Sequence, residues 1–270
     1  MEVIPLLILG LVFMAAVMAL AWLVQKLSGN AGWVDVAWTL GTGATGVGFA
    51  LIPAPGLPVN QRQIVIAILA AIWSLRLALH IVMRVAHGPE DARYKNLRRD
   101  WGAAFHTHMF WFLQAQAACT LVLALAILLA ARNPASDLRP LDLLGIIVMA
   151  VAVLGERAAD RQLARFKAAG GSRKRICDTG LWGWSRHPNY FFEWLGWLSY
   201  PLMALGLGYA WGCAAFAAPA LMYVILVHGT GIPTVEAQML RTRGAVFRRY
   251  RARVSAFFPL PPRQPQRARS

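Results

Sequence analysis

The feature that most constrains this chain is an apolar run of about bilayer length, repeated along nearly all of its 270 residues. A hydrocarbon core of roughly 30 Å needs about 20 apolar residues per helix. Seven stretches reach or approach that length: 3–25, 34–52, 64–85, 109–131, 141–156, 190–207 and 210–227. In lipid each backbone polar group must be satisfied within its own segment, so runs of this kind fold as helices. With 58% hydrophobic and only 14% charged residues, little remains from which to build a soluble domain. The expected fold is therefore an all-α integral membrane protein with seven transmembrane helices. Its first run starts at Val3 with no basic segment ahead of it and is long enough for a full crossing, which predicts a retained helix rather than a cleaved signal peptide.

Charge placement supplies an orientation. Lys26, five cations in 84–99, eight in 157–186 and nine after Glu236 fall on one side of a seven-span arrangement, 23 in all, against Arg62, Arg132 and Arg139 on the other. Arg76 lies inside a span. This is the positive-inside pattern, and it predicts an amino terminus outside and a cytoplasmic carboxyl terminus, as expected of a multi-pass protein of the cytoplasmic (inner) membrane. The net charge of +15 then requires no nucleic acid as partner, because basic cytoplasmic loops also meet membrane lipid headgroups and phosphorylated ligands. Cys119, Cys177 and Cys213 show no metal-ligand or CxxC spacing, so neither a disulfide nor a metal site is expected. Residues 1–259 read as one transmembrane domain and 260–270 as a disordered basic tail.

Polar chemistry gathers in three cytoplasmic stretches, 84–102, 155–190 and 231–259. In the second, Glu156 and Asp160 are four residues apart and share a helix face beside a basic stripe of Arg157, Arg161 and Arg165. "AAGGSRKR" then breaks the helix and places Arg173, Lys174 and Arg175 in a glycine-rich loop suited to cradling phosphate. A solvated helix end reads the same stretch equally well. "WSRHPNYFFEW" follows. Pro188 suits a first helical turn, so a helix starts near His187, with Ser185 as an alternative cap, and its free N–H groups face the cytoplasmic side. Asn189 and Glu193 lie one turn apart with Tyr190 adjacent, offering donors, an acceptor and an aromatic surface. A carboxylate as deep as Glu193 is costly unless paired or hydrated, which makes it either a ligand contact or an ion-pair partner of an arginine such as Arg186. The third stretch, with Glu236 in "GIPTVEAQ", begins with proline at a helix start and continues as a basic amphipathic helix.

"DTGLWGWSRHPNYFFEW", preceded by "ADRQLARFK" and followed by "GIPTVEAQMLRTRGAVFRRYRARVSAFFP", resembles the bacterial membrane family with the DUF1295 domain, related to the C-terminal region of steroid 5-alpha-reductases. "HGPEDARY" fits the bacterial family too. In the reductases this region binds NADPH at the cytoplasmic side of a seven-helix bundle. The resemblance implies a cofactor region over 155–259, with Asp160, Lys167, Arg175, Asn189 and Glu193 matching the motif and Glu156 standing where the reductases have asparagine. "RHPNY" and "FRRYRARVSAFFP" also resemble membrane methyltransferases of the isoprenylcysteine and phospholipid type, which implies S-adenosylmethionine as the alternative cofactor. Charge discriminates between the two, because NADPH carries a pyrophosphate and a 2′-phosphate, whereas S-adenosylmethionine carries a sulfonium and one carboxylate. Lys167, Arg173, Lys174, Arg175 and Arg186 favour the phosphorylated ligand.

The expected activity is reduction of the conjugated double bond of a steroid-like or other lipidic enone entering from the bilayer; the alternative is methylation of a lipid or prenylated acceptor. Enone reduction needs a group that polarises the carbonyl oxygen. The steroid reductases use a Gln-Glu pair on an early helix and a tyrosine on the next, while this chain has Asp35 near the former and Trp73 or Arg76 near the latter. Asp35 is the leading candidate, with Arg76 and His80 as partners one helical turn apart from each other; a structural Asp35–Arg76 ion pair is the other reading. Tyr94 in "GPEDARY" reads as a substitute donor, a cofactor contact or an interfacial anchor.

Overall fold

Apolar runs fold mostly as helix in the computed structural model, which describes residues 3–53, 56, 58–135, 137–170 and 175–263; no strand occurs among them. In chain order the helices are α1 (Val3–Ser28), α2 (Gly32–Leu51), α3 (Gln61–His87), α4 (Ala92–Trp101), α5 (Phe105–Ala131), α6 (Pro140–Ala168), α7 (Pro188–Trp197), α8 (Ser199–Ala204), α9 (Ala217–Tyr223) and α10 (Ile232–Arg253). Four helical stretches, Val3–Ser28, Gln61–His87, Ala92–Ala131 and Ala210–Arg253, are long and apolar enough to cross a membrane. Their surfaces agree with a lipid surround. Along α3, Ile64, Ile68, Ile72, Leu75, Leu79 and Met83 form an exposed stripe at helical spacing, while Ile66, Ala70, Trp73 and Ile81 on the other side are buried. A stripe of that size facing water would drive association; facing lipid it is at rest. The chain is a multi-pass membrane protein.

It folds as two compact units: Met1–Ile147 with Leu198–Leu221, and Val148–Trp197 with Met222–Ser270. In the first unit α2 packs against α1, α3 and α5. The reason is its small-residue sequence, "TLGTGATGVG". A Cβ on Gly43 would lie inside the Ser74 side chain, one on Gly46 would reach Ile127 Cδ1 at 2.5 Å, and one on Gly41 would reach Met14 Sδ at 2.8 Å. Close backbone approach of this kind supplies the packing that apolar helices in lipid depend on. Polar contacts join it: the Ser74 hydroxyl donates to the Thr39 carbonyl at 3.0 Å, and the Thr42 and Thr120 hydroxyls meet at 3.1 Å. Gly43→Val is expected to cost about 1–3 kcal/mol by overpacking, read as a lower melting midpoint in detergent, whereas Gly48→Val, with open space at its Cβ, leaves the midpoint unchanged.

The far end of this unit carries a buried polar latch. Arg62 and Asp142 are almost wholly buried and pair at 3.0 Å, and Arg139 meets Asp142 at 3.1 Å. Arg62 also donates to the carbonyls of Asn133, Ala135 and Asp137. Asn133 Nδ2 donates to the carbonyls of Met203, Ala204 and Leu205, capping the end of α8. Arg132 donates to the Pro53 carbonyl at 3.2 Å. All three cations that the sequence reading put on the poorly charged side are therefore engaged in holding loops and helix ends.

Two apolar runs depart from uninterrupted helix. Run 190–207 divides into α7 and α8 around Leu198: Pro201 has no N–H to donate to the Trp197 carbonyl. Run 210–227 starts as 3-10 helix over Ala210–Phe216, continues as α9 and widens into a π-turn over Val224–His228.

In the second unit the latter part of α6 packs on α7 where Gly155 faces the Phe192 ring and Gly196 faces Ala152 and Met149. The expected single amphipathic helix after Gly231 is in fact two. Proline stands in its first turn as expected, but α10 breaks at Gly244, whose φ of 42° and ψ of −112° suit glycine alone. Met239 and Leu240 before the break pack with Phe247, Tyr250 and Val254 after it. Residues 264–270, most of the expected disordered tail, lie outside the described residues.

Candidate functional site

Apart from that latch, each unit holds a cluster of polar groups partly or wholly withdrawn from solvent among the described residues. In the first, the GPED segment before α4 meets the start of α2. Asp91 caps α4 by accepting from the Arg93 N–H at 2.9 Å, and Glu90 accepts from the Ala31 N–H at 3.0 Å, which fixes the two helix starts against each other. That register delivers the Tyr94 hydroxyl to Asp35 Oδ1, to which it donates at 2.6 Å. Asp35 Oδ2 pairs with Arg93 at 2.7 Å and Arg84 at 3.5 Å, and the same two guanidiniums pair with Asp91 at 3.2 and 3.4 Å. Two carboxylates thus share two guanidiniums, and the buried phenol is the proton-bearing group among them. Burial by itself would raise the Asp91 carboxyl, but Arg93, through charge and hydrogen bonds, and Arg84 hold it below its ordinary range. The expected Asp35–Arg76 pair gives way to this arrangement; the guanidiniums on Asp35 are those of Arg84, two turns further along α3, and Arg93.

In the second unit, segment 184–186 runs beside 255–260. The Arg186 N–H donates to the Ser255 carbonyl at 2.8 Å and the Leu260 N–H to the Trp184 carbonyl at 3.0 Å. The Ser185 hydroxyl donates to the Phe257 carbonyl at 2.8 Å and accepts from the His187 N–H at 3.1 Å, so Ser185 does help to cap the start of α7. Arg186 Nε donates to Glu236 Oε1 at 2.7 Å, and the same guanidinium donates to the carbonyls of Arg251 and Val254. One side chain therefore staples both halves of α10 across its break at Gly244. His187 Nε2 lies 3.2 Å from the same carboxylate oxygen, and its ring stacks on Tyr190 at 5.5 Å. Tyr250 donates to the Trp182 carbonyl at 2.6 Å, and the Trp182 indole N–H donates to the Ala159 carbonyl at 3.0 Å.

Burial pushes the His187 imidazole below its ordinary value, outweighing the hydrogen bond and charge of Glu236 that raise it; the Arg186 charge lowers it further. The sign follows. Between its lowered value and the ordinary 6.5, the unfolded chain binds a proton that the native state refuses. Stability contributed here is full above about pH 6.5 and declines as pH falls through that value. Melting in detergent is expected to drop between pH 7.5 and pH 5.5, and to drop less in His187→Gln.

The remaining cofactor candidates lie in the same unit. Glu156 and Glu193 are buried, Asp160, Asn189 and Tyr190 are half-buried, and Lys167 and Arg175 are exposed. Glu193 accepts from the Trp197 indole at 3.0 Å, and Arg186, suggested as its ion-pair partner, is committed to Glu236. Arg175 lies over the Phe166 ring at 5.8 Å. Arg173 and Lys174 lie outside the described residues.

A family model described as a protein of unknown function, DUF1295, matches residues 21–254. The chain belongs to the DUF1295 family. No curated protein and no solved structure matches it. The DUF1295 match covers both clusters, from Asp35 to Glu236. Within this DUF1295 chain, sequence reasoning named Asp35, Tyr94, Ser185, Arg186, His187 and Glu236 but passed over Arg84, Tyr250 and Arg251, which complete their surroundings. Tyr250 had a local signal, as a lone aromatic in the basic run "RRYRAR". The others had none.

Proposed function

We propose that this DUF1295 protein is an NADPH-dependent reductase of a lipidic enone, with seven crossings of the cytoplasmic membrane and its amino terminus outside. The observation that carries the reading is the 2.6 Å hydrogen bond from Tyr94 to Asp35. Reducing an enone at carbon places negative charge on the carbonyl oxygen, and a buried phenol held in one orientation is suited to protonate it. Methyl transfer has no such demand for an acid. In this role the Tyr94 phenol turns its one O–H proton from Asp35 Oδ1 to the developing enolate oxygen and is then reprotonated by water, while Asp35, paired with Arg84 and Arg93, positions it.

The second unit fits the cofactor by charge. Arg161, Arg165, Lys167 and Arg175 form no ion pair among the described residues, leaving positive charge free for phosphates. Bound NADPH supplies the hydride. Arg186, His187 and Glu236 form the frame that fixes the start of α7, where Asn189 and Glu193 project, and the cations of α6 and its following loop take the phosphates. The orientation draws support from the fact that Arg62, Arg132 and Arg139 are all engaged structurally, while the unpaired cations lie in the stretches assigned to the cytoplasm.

Equilibrium titration of the detergent-purified chain with NADPH, NADH and S-adenosylmethionine tests this. NADPH is expected to bind at least tenfold more tightly than NADH, since only it carries the 2′-phosphate. Saturable S-adenosylmethionine binding with no response to NADPH would replace the reading by methyl transfer.

A further inference from the structure

The carboxyl end of the second unit contains a cleft of about 270 Å³ whose lining includes Arg186, Arg251, Arg253 and Arg263 and no acidic side chain. Its frame is backbone. Besides the bonds from Arg186 to Ser255 and from Leu260 to Trp184, the Arg263 N–H donates to the Arg253 carbonyl at 2.8 Å, closing the chain around the cleft. Positive charge there is only partly answered. Glu236 pairs with Arg186 at 2.7 Å and stands 4.0 Å from Arg251, and Asp178 pairs with Arg253 at 3.1 Å. Four guanidiniums against two carboxylates leave a surplus of two positive charges in a concave site, with Arg263 in no ion pair among the described residues. Guanidinium forks match phosphate oxygens in geometry as well as charge.

An exposed apolar side chain stands beside the charge. Leu260 lines the cleft and is 55% exposed, and in the adjoining segments Trp184, whose carbonyl accepts from the Leu260 N–H, and Phe258 are 49% and 44% exposed. An arginine cluster with exposed apolar side chains in its lining and in the segments that frame it suits a ligand with a phosphate at one end and hydrocarbon at the other. We propose that this cleft binds a phosphate group, carried by an anionic phospholipid headgroup. The site needs neither NADPH nor turnover, so it stands or falls separately from the reductase reading.

The test uses the full-length chain in detergent and native mass spectrometry with phosphatidylglycerol or phosphatidylcholine, with inorganic phosphate titrated in a parallel arm. Arg251→Gln/Arg263→Gln removes two exposed cleft cations; Arg248→Gln/Arg249→Gln removes the same charge from the exposed side of α10 outside the cleft. The expected result is a preference for phosphatidylglycerol that falls about tenfold or more in the cleft variant and less than about twofold in the control. Inorganic phosphate binding that is lost in the cleft variant, without any lipid preference, would keep the site but assign it to a soluble phosphate. Equal losses in both variants, or none in either, would overturn the proposal, with melting midpoints confirming that both remain folded.

Discussion

Replacing Tyr94 by phenylalanine is expected to lower turnover of a lipidic enone by about 10²- to 10⁴-fold, the usual contribution of a positioned general acid, while NADPH affinity stays unchanged. The substitution removes one oxygen from a buried ring and leaves it in the core cluster that also holds Met109, Phe105 and Val34. Asp35 keeps Arg93 and Arg84 on Oδ2 but loses its 2.6 Å donor on Oδ1. The loss should appear in kcat rather than KM. Asp35→Asn is the companion: it keeps the size of the side chain but weakens its hold on the phenol and on both guanidiniums, so kcat falls with cofactor affinity retained and the pH profile of kcat shifts. If Tyr94→Phe lowers the melting midpoint and leaves kcat alone, the tyrosine is an anchor and the proton comes from elsewhere.

The largest effect on stability is expected at Asp142. Its carboxylate is fully buried and takes two guanidiniums, Arg62 at 3.0 Å and Arg139 at 3.1 Å. Asp142→Ala leaves two cations with no carboxylate, and Arg62 is itself 2% exposed. Removing one partner of a buried ionic group costs about 3–5 kcal/mol. Because Arg62 and Arg139 also hold the carbonyls of Asn133, Ala135 and Asp137 and the end of α8, the loss should loosen that whole end of the first unit. Unfolding in a graded denaturing detergent should shift by that amount, and Asp142→Asn should recover part of it, since the amide oxygen can still accept from Arg139. An unchanged midpoint would mean that water or lipid headgroups satisfy both arginines.

What could be read from sequence was what depends on local pattern. Apolar run length placed α1, α3 and α5, and Pro188 put the start of α7 within a residue of its expected place near His187. The cost of an acid in an apolar setting singled out Asp35. Its partner was misjudged because helical spacing offered Arg76 and His80, whereas the chain turns after α3 and returns Arg93 and Tyr94 from beyond the GPED segment. Arg186 and Glu236 lie 50 residues apart, and no local periodicity couples them. The break at Gly244 was equally hidden: a single glycine in a helical pattern is tolerated, and only the packing of Phe247 and Tyr250 back onto Met239 and Leu240 makes the turn worthwhile. Pro201 was the legible signal overlooked, since a proline in the second half of an apolar run interrupts the helix one turn before itself.

Label transfer tests the central claim most directly. The detergent-purified chain is mixed with NADPH deuterated at the nicotinamide C4 and a panel of lipidic enones, and the product is read by mass spectrometry. The account predicts a saturated ketone carrying one deuterium on carbon, formed at a rate that collapses in Tyr94→Phe. Unlabelled enone recovered with NADPH unconsumed, together with a methylated lipid when S-adenosylmethionine is supplied instead, would contradict it.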